Sequence, residues 1–261
     1  MTGSALLNPA GGLRYHVRAW RYSSALWQPF RWALGEWLLG WPATEPTLVV
    51  VGPSGGYCVQ PFLFERFERV VCLEPDPVAR FVFRRRLLRA PLERRPLLEF
   101  VAEDRLLSNP EQFAAFLDAQ GKAAILFTNV IGQLPVLLGV SDPDAAPLRA
   151  VRDAVRAALV GRSWASFHDR VSGTARPEFE QPLVADARLR DDEVLEALYA
   201  EQSATIESAE LLDHATEGLF PPELPHAYFS WELEPRVYHL IEAVCSPPSA
   251  LGSALAAAAP E

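Results

Sequence analysis

The sequence predicts an α/β protein: a doubly wound, mostly parallel seven-stranded sheet with an antiparallel last strand, preceded by an N-terminal helical lid. Three observations predict it. Short β-branched or aliphatic runs alternate repeatedly with helical segments, the pattern of a parallel sheet covered by helices on both faces. A glycine-rich turn, Gly52-Pro53-Ser54-Gly55-Gly56, follows the first run directly. Two later runs flank Glu234-Pro235-Arg236, a tight-turn signal that makes one of them antiparallel.

Residues 1–45 read as the lid. Five of the seven tryptophans (Trp20, Trp27, Trp32, Trp37 and Trp41) fall there, so the segment must pack against something, as a layer over the main domain or as a lining for a pocket. Pro29 divides it into two helices, the second ending near Gly40. Residues 46–245 form the main domain. Thr47–Val51 is a continuous β-branched run, as expected of a strand buried on both faces. Beyond the glycine turn, Tyr57–Phe67 reads as a helix, followed by strand Val70–Leu73 and helix Val78–Arg89. Strand Leu97–Val101, helix Pro110–Ala119 and strand Ala123–Thr128 come next. Helix Leu148–Val160 is stopped by Gly161, and strand Ser163–Phe167 ends in His168-Asp169-Arg170. After a polar, irregular stretch come helix Asp192–Gln202 and strands Tyr228–Glu232 and Tyr238–Val244. Residues 246–261 are rich in Ala, Pro and Ser and are expected to be a disordered tail.

Composition excludes several classes. With 49% hydrophobic and 22% charged residues over 261 positions, the chain has the balance of a globular protein and not of a disordered one. A net charge of −9 disfavours bare nucleic acid and anionic membranes as partners, and Arg84-Arg85-Arg86 and Arg94-Arg95 read as a solvated face. Three isolated cysteines fit neither a disulfide framework nor a zinc pattern, so no metal is expected and a reducing, cytoplasmic location is. No signal sequence or membrane-spanning run is evident. The oligomeric state is not legible.

In a sheet of this kind ligands bind beyond the carboxyl ends of the strands. The residues to weigh are therefore Gly52–Gly56, Glu74, Asp104, Thr128–Gln133 and His168–Arg170. A glycine turn lets backbone approach a ligand where a Cβ would clash. Glu74 follows Gly52 at close to the roughly 20-residue spacing that pairs such a turn with an acid holding ribose hydroxyls. Glu74 could instead cap the helix that follows it. The dinucleotide pattern G-x-G-x-x-G fits poorly, because Ser54 and Tyr57 stand where it needs glycine. G-x-G-x-G fits at two of its three positions, Gly52 and Gly56, with Ser54 between them.

With these residues the sequence resembles the class I S-adenosylmethionine-dependent methyltransferases over about residues 45–245. Their first motif corresponds to Val50-Val51-Gly52-Pro53-Ser54-Gly55-Gly56, with Val50 in place of the usual acid. The resemblance implies a cofactor site of Gly52, Ser54, Gly55, Gly56, Glu74 on the ribose, Asp104 (or Glu103) on the adenine amino group, and Asn129 beside the methyl donor. It implies S-adenosylmethionine as cofactor and methyl transfer to a small molecule. The replacements at Val50 and Ser54 keep open an inactive binding or assembly module. Methylation of an oxygen needs a base or a metal. The expected catalytic residues are His168, Asp169 and His214, the two histidines each standing next to an acid. Arg170 could pair with Asp169 or with an anionic substrate, Tyr15, His16 and Arg18 could reach over the cofactor, and His226 and His239 are expected to be structural.

Overall fold

A computed structural model describes residues 12–102, 109–140, 142, 144–199 and 211–247. Helices α1 (Gly12–Tyr22) and α2 (Gln28–Leu39) precede β1 (Thr47–Val51), β2 (Arg69–Leu73), α3 (Pro77–Arg89) and β3 (Leu97–Val101). There follow α4 (Pro110–Ala119), β4 (Ala123–Thr128), α5 (Leu134–Leu138), α6 (Ala146–Leu159) and β5 (Trp164–Gly173). The last elements are β6 (Leu183–Ala185), α7 (Asp191–Tyr199), β7 (Leu212–Asp213), β8 (His226–Glu234) and β9 (Val237–Cys245). All seven predicted strands are present, with the short β6 and β7 added to the same sheet. Its order is β3-β2-β1-β4-β5-β9-β8-β6, with β7 pairing β5. β1 to β5 run parallel, and β9 lies antiparallel between β5 and β8. The order reverses between β1 and β4, which places the crevice expected of such sheets at their carboxyl ends.

Strand alternation sorts the core into two layers. Leu48 and Val50 of β1 face a layer shared with α1, α2 and α3, whereas Val49 and Val51 face one shared with α4 and α6. The N-terminal helices are integral to the first layer. Trp27 is fully buried, donates Nε1–H to the Leu233 carbonyl at 2.9 Å and meets Trp231 edge-on at 5.0 Å. Phe30 stacks on Trp231, while Trp20 and Trp32 face solvent. Arg66 donates to the carbonyls of Leu38, Trp41 and Ala43, fixing the end of α2 to the loop after β1.

Two expected elements differ. Tyr57–Phe67 is not an α-helix: a loop runs to an extended Gln60 (φ −74°, ψ 133°), and only a 3₁₀ turn forms at Pro61–Arg66. Pro61 supplies no N–H and drives the residue before it out of the helical region, so a helix starting at Tyr57 cannot pass it. β5 does not end at Phe167 but continues to Gly173, because β9 pairs with it as far as Tyr238, across a bulge between Asp169 and Val171. His168, Asp169 and Arg170 therefore lie inside a strand. Arg84, Arg85, Arg94 and Arg95 are exposed and Arg86 is half-buried, with Arg84 lying over the Phe100 ring and Arg95 donating to the last carbonyls of α3. No helix among the described residues is long and apolar enough to cross a membrane. Glu103, Asp104 and residues 248–261 lie outside the described residues.

Candidate functional site

The turn after β1 takes left-handed backbone at Gly52 (φ 68°), Ser54 (φ 49°) and Gly56 (φ 69°). At Gly52 the space is closed as well, since a Cβ would stand 2.9 Å from Val130 Cβ. Gly52→Ala is therefore expected to cost about 1–3 kcal/mol in denaturant unfolding, through strain and overpacking together. An unchanged midpoint would show that the turn can relax away from Val130.

Glu74 ends β2 almost fully buried, and its carboxylate holds the turn in place. Oε2 accepts the Ser54 amide at 2.8 Å, and Oε1 accepts the Asp76 amide at 2.9 Å. Burial raises its pKa to about 7, against the lowering effect of the two amides. The helix cap is a different residue: Asp76 Oδ1 accepts the Val78 amide at the start of α3. Both Glu74 oxygens retain further lone pairs.

α1 closes over this turn. His16 Nε2 lies 3.1 Å from Asp76 Oδ2 and Nδ1 lies 2.8 Å from the Tyr57 hydroxyl. A carboxylate only accepts, so in the neutral ring Nε2 carries the proton and Nδ1 accepts from Tyr57. Burial pushes the Tyr57 phenol up to about 12, with the nearby Arg86 acting against it. Tyr15 reaches Cys58 Sγ at 3.6 Å, and Arg18 is bidentate to Glu234.

Across the crevice a second polar group stands where β4 ends beside the middle of β5. Asn129 takes left-handed backbone (φ 57°), a conformation asparagine tolerates better than most residues. Its Nδ2 donates to Asp169 Oδ2 at 2.9 Å, and its Oδ1 accepts the Asp169 amide at 2.7 Å. Asp169 Oδ1 accepts from His239 Nδ1 at 2.8 Å. Burial alone would raise the Asp169 pKa, but His239, His214 and the Asn129 amide outweigh it and bring it to about 2. His214 is positioned by β7, its amide donating to the Arg170 carbonyl and its Nε2 lying 2.9 Å from Ser172 Oγ. Gly132 packs into the same corner, where a Cβ would meet the Asp169 carbonyl at 3.1 Å and His214 Cβ at 3.4 Å. The group also adjoins the glycine turn, because Val130, next to Asn129, is the residue packed on Gly52.

Of the expected catalytic residues, the fold brings Asp169 and His214 together and sends His168 elsewhere. Alternation along β5 turns His168 to the opposite face, where Ser166 Oγ lies 3.0 Å from its Nδ1 and burial lowers its pKa to about 4. Arg170 shares that face and pairs with Glu242 (3.3 Å) and Asp191 (2.6 Å), not with Asp169. His226 Nδ1 lies 2.6 Å from the same Glu242 carboxylate, which Arg188 also holds at 3.1 Å. These residues tie the stretch before α7 to β9. Asn129 is placed beside the crevice as expected, but its amide is spent on Asp169. His239, expected to be structural, hydrogen-bonds Asp169 and belongs to the same polar group. Nothing local in the sequence signals this: β9 carries His239 between β5 and β8, where a polar group must find a partner.

No family model matches the chain, and no curated protein matches it significantly. Among solved structures, the DhpI–SAH complex aligns over 95% of this chain and 100% of its own at 15% identity, with a TM-score of 0.42. The N-methyltransferase NodS from Bradyrhizobium japonicum WM9 with S-adenosyl-L-homocysteine aligns over 89% of this chain and 98% of its own at 14% identity, TM-score 0.42. The glycopeptide N-methyltransferase MtfA with S-adenosyl-L-methionine aligns over 82% of this chain and 93% of its own at 16% identity, TM-score 0.38. Likeness at this level does not say what this chain binds.

Proposed function

We propose that the protein transfers a methyl group from S-adenosylmethionine to a small-molecule acceptor. The observation that carries this reading is the pairing, at the carboxyl ends of the central strands, of an acid-anchored glycine turn and a proton-accepting group. On one side a buried acid anchors a glycine turn; on the other, Asp169 orients His239 beside His214. The Gly52–Gly56 turn, with Ser54, lies against the cofactor, and Glu74 accepts the ribose hydroxyls. Asp104 remains the proposed partner of the adenine. Asn129 acts as a positioning residue that fixes Asp169.

The transfer is an in-line displacement. The acceptor's lone pair forms the new bond to the methyl carbon while the sulfur–carbon pair returns to sulfur, leaving S-adenosylhomocysteine. Alignment supplies much of the acceleration. A protic acceptor must also lose its proton. With Nδ1–H committed to Asp169, His239 has Nε2 as its accepting nitrogen. His214 is the second acceptor in reach.

Ribose hydroxyls donate to the ionised form of a carboxylate and so lower its pKa. Glu74 starts at about 7, so cofactor binding near neutrality is expected to release a fraction of a proton. Calorimetry at pH 7 in two buffers of different ionisation enthalpy measures this directly. Proton uptake, or no exchange, would remove the ribose from Glu74. A second reading, an inactive module, is favoured by Val50, which is fully buried in the apolar layer where such enzymes usually carry an acid. Turnover of any acceptor would exclude it.

A further inference from the structure

Asp169, His214 and His239 each bring one metal-ligating atom to within 4.8 Å of the other two. Around a zinc-type ion, nitrogen and oxygen ligands at ~2.0–2.2 Å stand roughly 3.4 Å apart. The ligand atoms therefore have to draw closer by side-chain rotation to hold an ion. The backbone under the three ligands is already fixed. β5 and β9 are paired on either side of the bulge, and β7 holds the residue before His214 opposite Val171.

The donor set and its surroundings fit a metal. Two imidazoles and one carboxylate are the ligands of zinc, iron and cobalt, whereas magnesium and calcium favour all-oxygen sites. Metal-bound side chains are usually held by outer hydrogen bonds. Here Asn129 Nδ2 donates to Asp169, Ser172 Oγ lies against His214, and the Trp231 ring packs 5.6 Å from His239. Three protein ligands leave at least one position open, the arrangement of catalytic sites and not of closed structural ones.

We propose that Asp169, His214 and His239 bind one divalent transition-metal ion of the zinc–cobalt–iron class at the acceptor end of the crevice. No sequence pattern announces this, because the ligands come from β5, the turn after β7 and β9. Resting on the methyl-transfer reading, the site also selects its acceptor: a hydroxyl compound whose oxygen takes the open position. With their nitrogens on the ion, His214 and His239 no longer accept the proton themselves: the ion lowers the pKa of that hydroxyl, its proton leaves to solvent, and the oxygen attacks the methyl carbon as the carbon–sulfur pair returns to sulfur.

The test uses the full chain, freed of metal by chelator and titrated with Co²⁺ while its visible absorption is followed. The expected result is one Co²⁺ per chain, displaced by Zn²⁺, with affinity reduced at least ~100-fold in both His214→Ala and His239→Gln. Asn129→Ala is expected to weaken binding by roughly 10–100-fold, as outer-shell changes do. His214 and His239 are only partly buried, and circular dichroism confirms folding of each variant. Should one fail to fold, the other decides. Absence of a saturable Co²⁺ spectrum, or saturation that a folded histidine variant leaves unchanged, overturns the proposal. S-adenosylmethionine titrations of the same metal-free samples separate the two readings: cofactor binding without Co²⁺ binding rejects the metal site and leaves the methyl-transfer reading intact.

Discussion

Replacing Asp169 by asparagine is expected to lower methyl transfer by about 10²–10⁴-fold while S-adenosylmethionine affinity changes little. The carboxylate accepts from Asn129 on one oxygen and from His239 on the other. An asparagine has one accepting oxygen, so its amide must face either the Asn129 amide or His239 Nδ1–H. In the first case two donors oppose each other in a buried site; in the second the imidazole turns or changes tautomer. Either way the proton acceptor is misplaced, and a metal held by the trio loses its only anionic ligand. The glycine turn and Glu74 are untouched, so the loss belongs to kcat. The measurement is S-adenosylhomocysteine formation with the best acceptor in a panel of small hydroxyl and amine compounds. Comparable loss of cofactor affinity would place Asp169 in the cofactor pocket instead.

Glu74→Ala is expected to weaken S-adenosylmethionine binding by about 100-fold. Hydrogen bonds to a charged group contribute about 1.5–3 kcal/mol each, and a tenfold change in affinity is about 1.4 kcal/mol. The variant loses the ribose acceptor and also releases the amides of Ser54 and Asp76. Glu74→Gln keeps one acceptor and should fall between the two. The glutamate itself strains the free protein at neutral pH. Its folded pKa, near 7, lies above the 4.5 of an ordinary glutamate, so the folded state holds the proton more tightly. Its contribution is most favourable below about pH 4.5 and is lost as the pH rises through 7. Cofactor binding reverses part of that cost. Ligand-free protein should therefore lose stability between pH 5 and 8 more steeply than Glu74→Ala does, and loaded protein less steeply than free.

The sheet was legible because strands buried on both faces read as unbroken runs such as Thr47–Val51, a pattern that helices seldom share. The glycine turn and Glu74 were legible because their spacing is local. The segment after the turn was not. Its apolar residues resemble a helix, and only the weight given to Gly56 and Pro61 argues for a loop whose side chains turn in toward α1. β5 was read short because His168, Asp169 and Arg170 look like the polar end of a strand. They are interior: the two faces of β5 there carry two separate polar groups, Glu242 with its partners on one and Asn129 with His239 on the other. Which face each residue takes depends on the register with β9 and on the bulge. Neither is encoded near residue 168, so His168 was grouped with Asp169 and His239 was left out.

Whether the crevice binds S-adenosylmethionine is decided by calorimetric titration of the purified protein with the cofactor and with S-adenosylhomocysteine. The expected result is one site per chain, micromolar affinity for both ligands and competition between them. A folded protein that binds neither would contradict it, and Val50 and Ser54 would then mark a turn that keeps its shape but no longer holds a ligand.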